Sequence, residues 1–164
     1  MQIENSDLED ASADGTAMAL VIRLSGEAMA LPVQSVNEII DPLPRTRVPK
    51  ASALAPWLIN VRGTVVPLVD IRHRLCIEQT PSDAGRIVVL NRQNNDSGGQ
   101  LALLVDGVDE VIDLQSAQIE ALPEQGSPWP ARYVRGACRR GEELILVLNP
   151  ETLFRPDSGA ELKS

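Results

Sequence analysis

Aromatic side chains are nearly missing from this chain: its 164 residues include two Trp, one Tyr and one Phe, about 2% of the total. Its core must be built from Val, Ile, Leu and Ala, which favours strands over an aromatic ligand pocket. Histidine is scarcer still, so any Ser-His-Asp chemistry would have to run through His73. Arg72 and Arg74 flank that imidazole and oppose its protonation, which makes it a poor general base and a surface side chain. The two cysteines, Cys76 and Cys138, are too few and too isolated for a zinc site, which wants about four clustered ligands. A cytosolic pair is normally reduced, so both are read as packing or edge residues. No apolar run approaches the roughly 20 residues that cross a bilayer, and the N-terminus lacks the basic-then-apolar order of a signal peptide. A cytoplasmic protein with no membrane insertion is expected. Also missing are a P-loop, a Gly-rich dinucleotide turn, a Gly-x-Ser-x-Gly elbow and paired metal ligands. The expectation is a binding module, not an enzyme, with no catalytic residues, cofactor or metal.

Positive charge is also in short supply. Lys and Arg number 15 against 23 Asp and Glu, a net charge of −8. Glu4, Asp7, Glu9, Asp10 and Asp14 all precede the first cation, Arg23; without these five the body is near −3. Nucleic acid is therefore excluded as a partner, because its binders need a dominant basic face. Arg132, Arg135, Arg139 and Arg140 form one local basic cluster near Glu142 and Glu143. It reads equally as a solvated hairpin rim or as a docking surface for an acidic protein.

What the chain has in abundance is short apolar runs between turn residues. They include "AMALVIRL" (17–24), "TVVPLVDI" (64–71), "RIVVLN" (86–91) and "EELILVLN" (142–149), punctuated by Ser25-Gly26-Glu27, Arg62-Gly63 and Arg140-Gly141. This pattern predicts an all-β domain of about ten strands. Helix signals are confined to residues 116–119 and to a start at Asn149-Pro150, with Asn149 at the N-cap. Residues 1–16 are read as an acidic flexible head and 155–164 as a polar tail, leaving 17–154 as the folded part.

That part repeats itself. "VNEIID" (36–41) matches "VDEVID" (108–113) at a shift of 72, and Arg62-Gly63 matches Arg135-Gly136 at a shift of 73. The two anchors predict similar β lobes over about 17–80 and 84–154, each of five strands curled into a small barrel that removes exposed edges.

Two charges stand out against this apolar background. Glu38 lies inside "VNEII", and simple alternation puts it on one face with Val36 and Ile40. It is read as an ion pair within the domain, with Arg62 as its candidate partner, or as part of a mixed surface that a partner helix covers; both can hold together. In "INVRGTVVPLVDIRHRL" (59–75), Gly63 supplies the positive φ of a tight hairpin. Glycine leaves Arg62 unexplained, and a bidentate cation at an interface is the sharper reading. A remote enzyme reading, an aspartic-type hydrolase, rests on two Asp-Ser-Gly triplets at Asp96 and Asp157. Their separation of 61 does not match the repeat, so pseudo-symmetry would not bring the two aspartates together.

The order of "ALPV", "VNEII", Val48-Pro49, "NVRGTVVPLVDIRHRL", "ALLVDGVDEVIDL" and a final "VRG" hairpin with "LILVLN" resembles the CheW family of chemotaxis coupling proteins, from about Ala17 to Phe154. The resemblance implies two SH3-like five-stranded barrels. It implies a scaffold that couples methyl-accepting chemoreceptors to a CheA-type histidine kinase, gripping the receptor's cytoplasmic tip between the barrels and the kinase's regulatory domain at barrel ends. Carried over, Val36, Glu38, Arg62 and Gly63 match the family's interaction motif, and Val105 and Val108 match the second-lobe part of the groove. A protein of this kind is expected to be monomeric when free and recruited to membrane-associated arrays. Trp57 stands where family members often have glycine, and no aromatic lies near Met29 or Ala30. These departures leave open a pilus-type or other non-flagellar chemosensory system.

Overall fold

A computed structural model of the chain describes residues 18–51, 53–77, 85–91, 99–122 and 129–155. The acidic head, the tail beyond Arg155 and both Asp-Ser-Gly triplets lie outside these residues. The described residues form eleven strands: β1 (Met18–Leu24), β2 (Glu27–Pro32), β3 (Val36–Ile40), β4 (Thr46–Arg47), β5 (Trp57–Val61), β6 (Thr64–Val69), β7 (Arg86–Asn91), β8 (Gln100–Val105), β9 (Gly107–Asp113), β10 (Val134–Arg140) and β11 (Glu143–Leu148). Two one-turn helices follow strands, Leu114–Ala117 and Pro150–Leu153. The second has the expected start, with Pro150 in its first turn and the Asn149 side chain accepting the Glu151 N–H at 3.2 Å.

The strands assemble into a five-stranded sheet, β10-β11-β2-β1-β9, and a six-stranded sheet, β3-β7-β8-β6-β5-β4. Strand alternation explains why both are buried on two faces. Ala19, Val21, Ala28, Ala30, Ile145 and Val147 point into an interior enclosed by the first sheet. Ile59, Val66, Leu68, Ile87, Val89 and Leu104 do the same for the second. The intervening residues, such as Leu20, Ile22, Met29, Leu31, Val88, Leu90 and Leu103, form a third cluster where the sheets pack on one another. Small side chains fill the first interior and larger ones the shared layer, as a narrow barrel requires. Burying each large aliphatic side chain contributes roughly 1.5–3 kcal/mol, so the chain dispenses with aromatics; Tyr133 and Phe154 sit at the margin of the shared layer, each 9% exposed.

The division between lobes is not the one the repeat predicts. The first sheet combines residues 18–32 with 107–148, and the second takes 36–105. Parallel pairings make this interleaving: β11 lies beside β2, with Leu146 opposite Met29, and β6 beside β8, with Leu68 opposite Ala102. The contiguous lobes 17–80 and 84–154 therefore cut across both sheets. The second Arg-Gly is also displaced. Arg135-Gly136 lies within β10 at a bulge, and the hairpin turn is Gly141-Glu142, between Arg140 and its partner Glu143. Gly136 is needed for a different reason: a Cβ there would stand 2.4 Å from the carbonyl oxygen of Glu120. Glu120 exchanges two backbone hydrogen bonds of 2.8 Å with Ala137, which covers part of the β10 edge.

Candidate docking site

The Glu38–Arg62 pair is built by a bulge and a hairpin. Along β3 the register shifts between Val36, opposite Leu90, and Glu38, opposite Val89. The extra residue, Asn37, is exposed, and Val36 and Glu38 end on opposite faces. Val36 enters the shared layer, 8% exposed. Glu38 instead shares its face with Ile40 and the second barrel's interior, which corrects the simple alternation.

Glu38 is 5% exposed, and a carboxylate so buried requires a cation. Arg62 supplies it in fork geometry: Nη1 and Nη2 donate to Oε1 and Oε2, each at 2.5 Å. The hydrogen bonds to Glu38, and secondarily its charge, raise the Arg62 pKa above the ordinary arginine value. Arg62 reaches Glu38 from the β5–β6 turn, where Arg62 and Gly63 have φ of 52° and 86°. Two consecutive positive φ values define the hairpin turn that matches strand twist, so Arg62 shares the left-handed conformation assigned above to glycine alone. The Asn60 side chain accepts the Gly63 N–H at 2.7 Å and holds the loop.

The pair is lopsided. The Arg62 side chain is 70% exposed and that of Glu38 only 7%, so the guanidinium is fixed from below and presented outward. The same hairpin carries Val65, two residues past Gly63 on β6 and the most exposed large apolar residue among those described, at 62%. Val65 was missed because "TVVPLV" gives no sign of which of its valines faces out. Of the six carried-over residues, Arg62 and Gly63 are exposed, Val108 is half-buried against the shared layer, and Val36 and Glu38 are buried. Val105 is 0% exposed within the shared layer and offers no contact surface; β8 is buried on both faces, so its last valine is a core residue.

A counterpart of the pair occupies the first sheet. Glu110, in the repeated "VDEVID", accepts from Nη1 of Arg140 at 2.8 Å, and Arg140 immediately precedes the turn glycine Gly141. The structural echo of Arg62 is therefore Arg140, not Arg135. Nη2 of Arg140 also reaches Asp109 at 2.9 Å and Glu143 at 2.7 Å. Arg23 pairs with the same two acids, its Nε donating to Asp109 at 2.9 Å and its Nη2 to Glu143 at 2.9 Å. This network ties β9 to β10, which share no strand pairing. Hydrogen bonds from Arg23 and then Arg140 bring the Glu143 pKa down to about 2. Burial alone would raise the Asp109 pKa, but hydrogen bonds from Arg23 and Arg140 leave it lowered.

Where the chain crosses between sheets, Asp106 fastens both. Its carboxylate accepts the Ser25 N–H at 2.6 Å and Nη2 of the buried Arg72 at 3.3 Å. Buried Arg74 donates to the carbonyls of Leu153 at 2.9 Å and Arg155 at 2.7 Å, completing the end of the last helix. His73, between these arginines, is exposed, as is Cys76, while Cys138 is buried.

Fold and site together define a two-lobed β module whose outward features are a fixed cation and apolar surface. Comparison with known proteins narrows the class: the profile of the CheW-like domain matches residues 18–157. The chain belongs to the CheW-like domain family. It is 26% identical over 140 residues to a probable chemotaxis protein CheW of Rhizobium etli, covering 85% of this chain and 88% of that one. It is 26% identical over 134 residues to protein PilI of Pseudomonas aeruginosa, covering 80% and 71%. The crystal structure of the scaffolding protein TtCheW from Thermoanaerobacter tengcongensis superposes with a TM-score of 0.72 at 24% identity, covering 87% of this chain and 90% of that one. The fold is thus all-β with two SH3-like lobes.

Proposed function

We propose that this chain is a chemotaxis scaffold that couples methyl-accepting chemoreceptors to a CheA-type histidine kinase by binding both, with no reaction of its own. The observation that carries the reading is the Arg62 hairpin: an exposed guanidinium, locked by buried Glu38, on the same hairpin as exposed Val65. A charge so fixed loses little conformational freedom on binding and selects its partner by complementarity. Val108 and the margin of the shared layer supply apolar contact for a receptor helix, in the manner of helix-in-groove recognition. No helix among the described residues is long and apolar enough to cross a membrane. The chain is cytoplasmic in this reading, monomeric when free and brought to the membrane by the receptor.

Co-sedimentation tests it. The full chain, mixed with a CheA-type kinase and receptor-bearing membranes, should carry the kinase into the pellet; a kinase left in the supernatant at saturating chain would refute the coupling role. The likeness to PilI supports a second reading, the same scaffold in a pilus-type system. Deleting the gene and scoring swimming against twitching separates the two.

A further inference from the structure

Residues 42–69 hold Arg45, Arg47, Lys50 and Arg62 and no Asp or Glu, in a chain of net charge −8. Arg62 is engaged by Glu38, and Arg45 stacks over Trp57, its guanidinium 4.8 Å from the ring centroid. Arg47 and Lys50 are exposed and have no ion pair among the described residues. The second sheet opens into a recess of about 440 Å³, lined by Pro42, Leu43, Pro44 and Arg45 on one side and Leu68, Ile87 and Leu104 on the other, and Arg47 and Lys50 follow Arg45 along the same arm. The recess is apolar, its rim is basic, and Trp57 stabilises the arm that carries the rim by holding Arg45 from β5. The other basic surface is weaker, since Arg135 and Arg139 alternate with the exposed acids Glu120 and Glu142, and Arg140 is consumed by its network.

The chain itself contains the complementary ligand. Residues 4–14 carry Glu4, Asp7, Glu9, Asp10 and Asp14 with no cation, and Leu8 sits between Asp7 and Glu9. Reach is sufficient. Met18 lies opposite Asp113 at one end of β9, a strand separation of about 5 Å. From there β9 runs back to Gly107, roughly 20 Å at about 3.3 Å per residue, and Leu104 is roughly another 10 Å along the chain. This stepwise path of about 35 Å exceeds the straight-line distance, and the ten residue steps from Met18 to Leu8 span about 33–36 Å when extended.

We propose that the acidic head docks in cis on the Pro42–Lys50 arm, with Leu8 seated in the recess and Asp7, Glu9 and Asp10 against Arg47 and Lys50. The head then occupies the end of the second barrel, and any acidic partner of that face must displace it. This inference concerns the chain alone and stands whether or not the coupling role does.

Paramagnetic relaxation in the full chain tests it. A nitroxide is placed on Ser6→Cys in a Cys76→Ser background; the remaining Cys138 is 1% exposed. Amide signals of Leu43, Arg45, Leu68 and Leu104 should be lost at low salt. They should return in about 1 M NaCl, where the Debye length is about 3 Å, and in the Arg47→Glu/Lys50→Glu variant. Both substituted positions are exposed, and unchanged shifts elsewhere confirm that this variant is folded. Full signal at those amides, loss centred on Arg135 and Arg139, or loss that survives in the variant would overturn the proposal. Transfer of the loss from spin-labelled unenriched chains to unlabelled 15N chains would assign the contact to a second copy and overturn the cis arrangement.

Discussion

Replacing Gly136 by alanine should damage the first barrel at its β10 edge. An added Cβ would stand 2.4 Å from the Glu120 carbonyl oxygen and 2.8 Å from Cγ2 of Ile119. The backbone atom cannot rotate away, so strand and bridge must separate, sacrificing the two 2.8 Å hydrogen bonds between Glu120 and Ala137. Each such bond contributes about 0.5–1.5 kcal/mol, and forced overpacking costs about 1–3 kcal/mol, for a loss of about 2–6 kcal/mol. Gly141→Ala is the control. Its φ is 63° and nothing lies within 4 Å of a Cβ there, so only the left-handed backbone penalty of about 1–2 kcal/mol applies. Urea denaturation of both variants measures the difference from the midpoints at constant slope. A Gly136→Ala protein as stable as Gly141→Ala, or more so, would refute the close-approach argument.

Leu103→Ala should cost about 2–5 kcal/mol by urea denaturation, because Leu103 is 0% exposed in the layer that joins the sheets. Acid should expose the Arg23–Arg140 network. The Glu143 pKa is about 2 in the folded protein against an ordinary 4.5, so its stabilisation is complete above about pH 4.5 and is lost as pH falls toward 2. Glu143→Gln should flatten the melting temperature across that interval; an unaltered pH profile would contradict the assignment. Arg74→Met should release the Leu153 and Arg155 carbonyls and speed amide exchange across Leu153–Arg155, with exchange elsewhere unchanged.

The all-β architecture and the Glu38–Arg62 pair were both legible in the sequence. Short apolar runs between turns leave few alternatives to strands, and an acid inside such a run needs a partner nearby. The face of Glu38 was not legible, because the bulge at Asn37 breaks alternation without marking itself in "VNEII". Lobe boundaries failed for a topological reason: the β2–β11 and β6–β8 pairings join strands far apart in the chain, and nothing local encodes them. The match of Arg135-Gly136 to Arg62-Gly63 pointed at the wrong arginine. The turn glycine is Gly141, and Arg140 beside it makes the ion pair with Glu110. Val105 was misjudged and Val65 passed over for one reason, that an apolar run does not reveal which of its valines remains outside.

The most direct test of the central claim is co-sedimentation of the Val65→Asp/Arg62→Gln/Glu38→Gln protein, in which the buried carboxylate is neutralised together with its cation, with receptor-bearing membranes and a CheA-type kinase, alongside its melting curve. The account predicts a cooperatively folded protein that no longer links kinase to receptor. Wild-type kinase recovery by this folded variant would show that the Arg62 hairpin is not the docking surface.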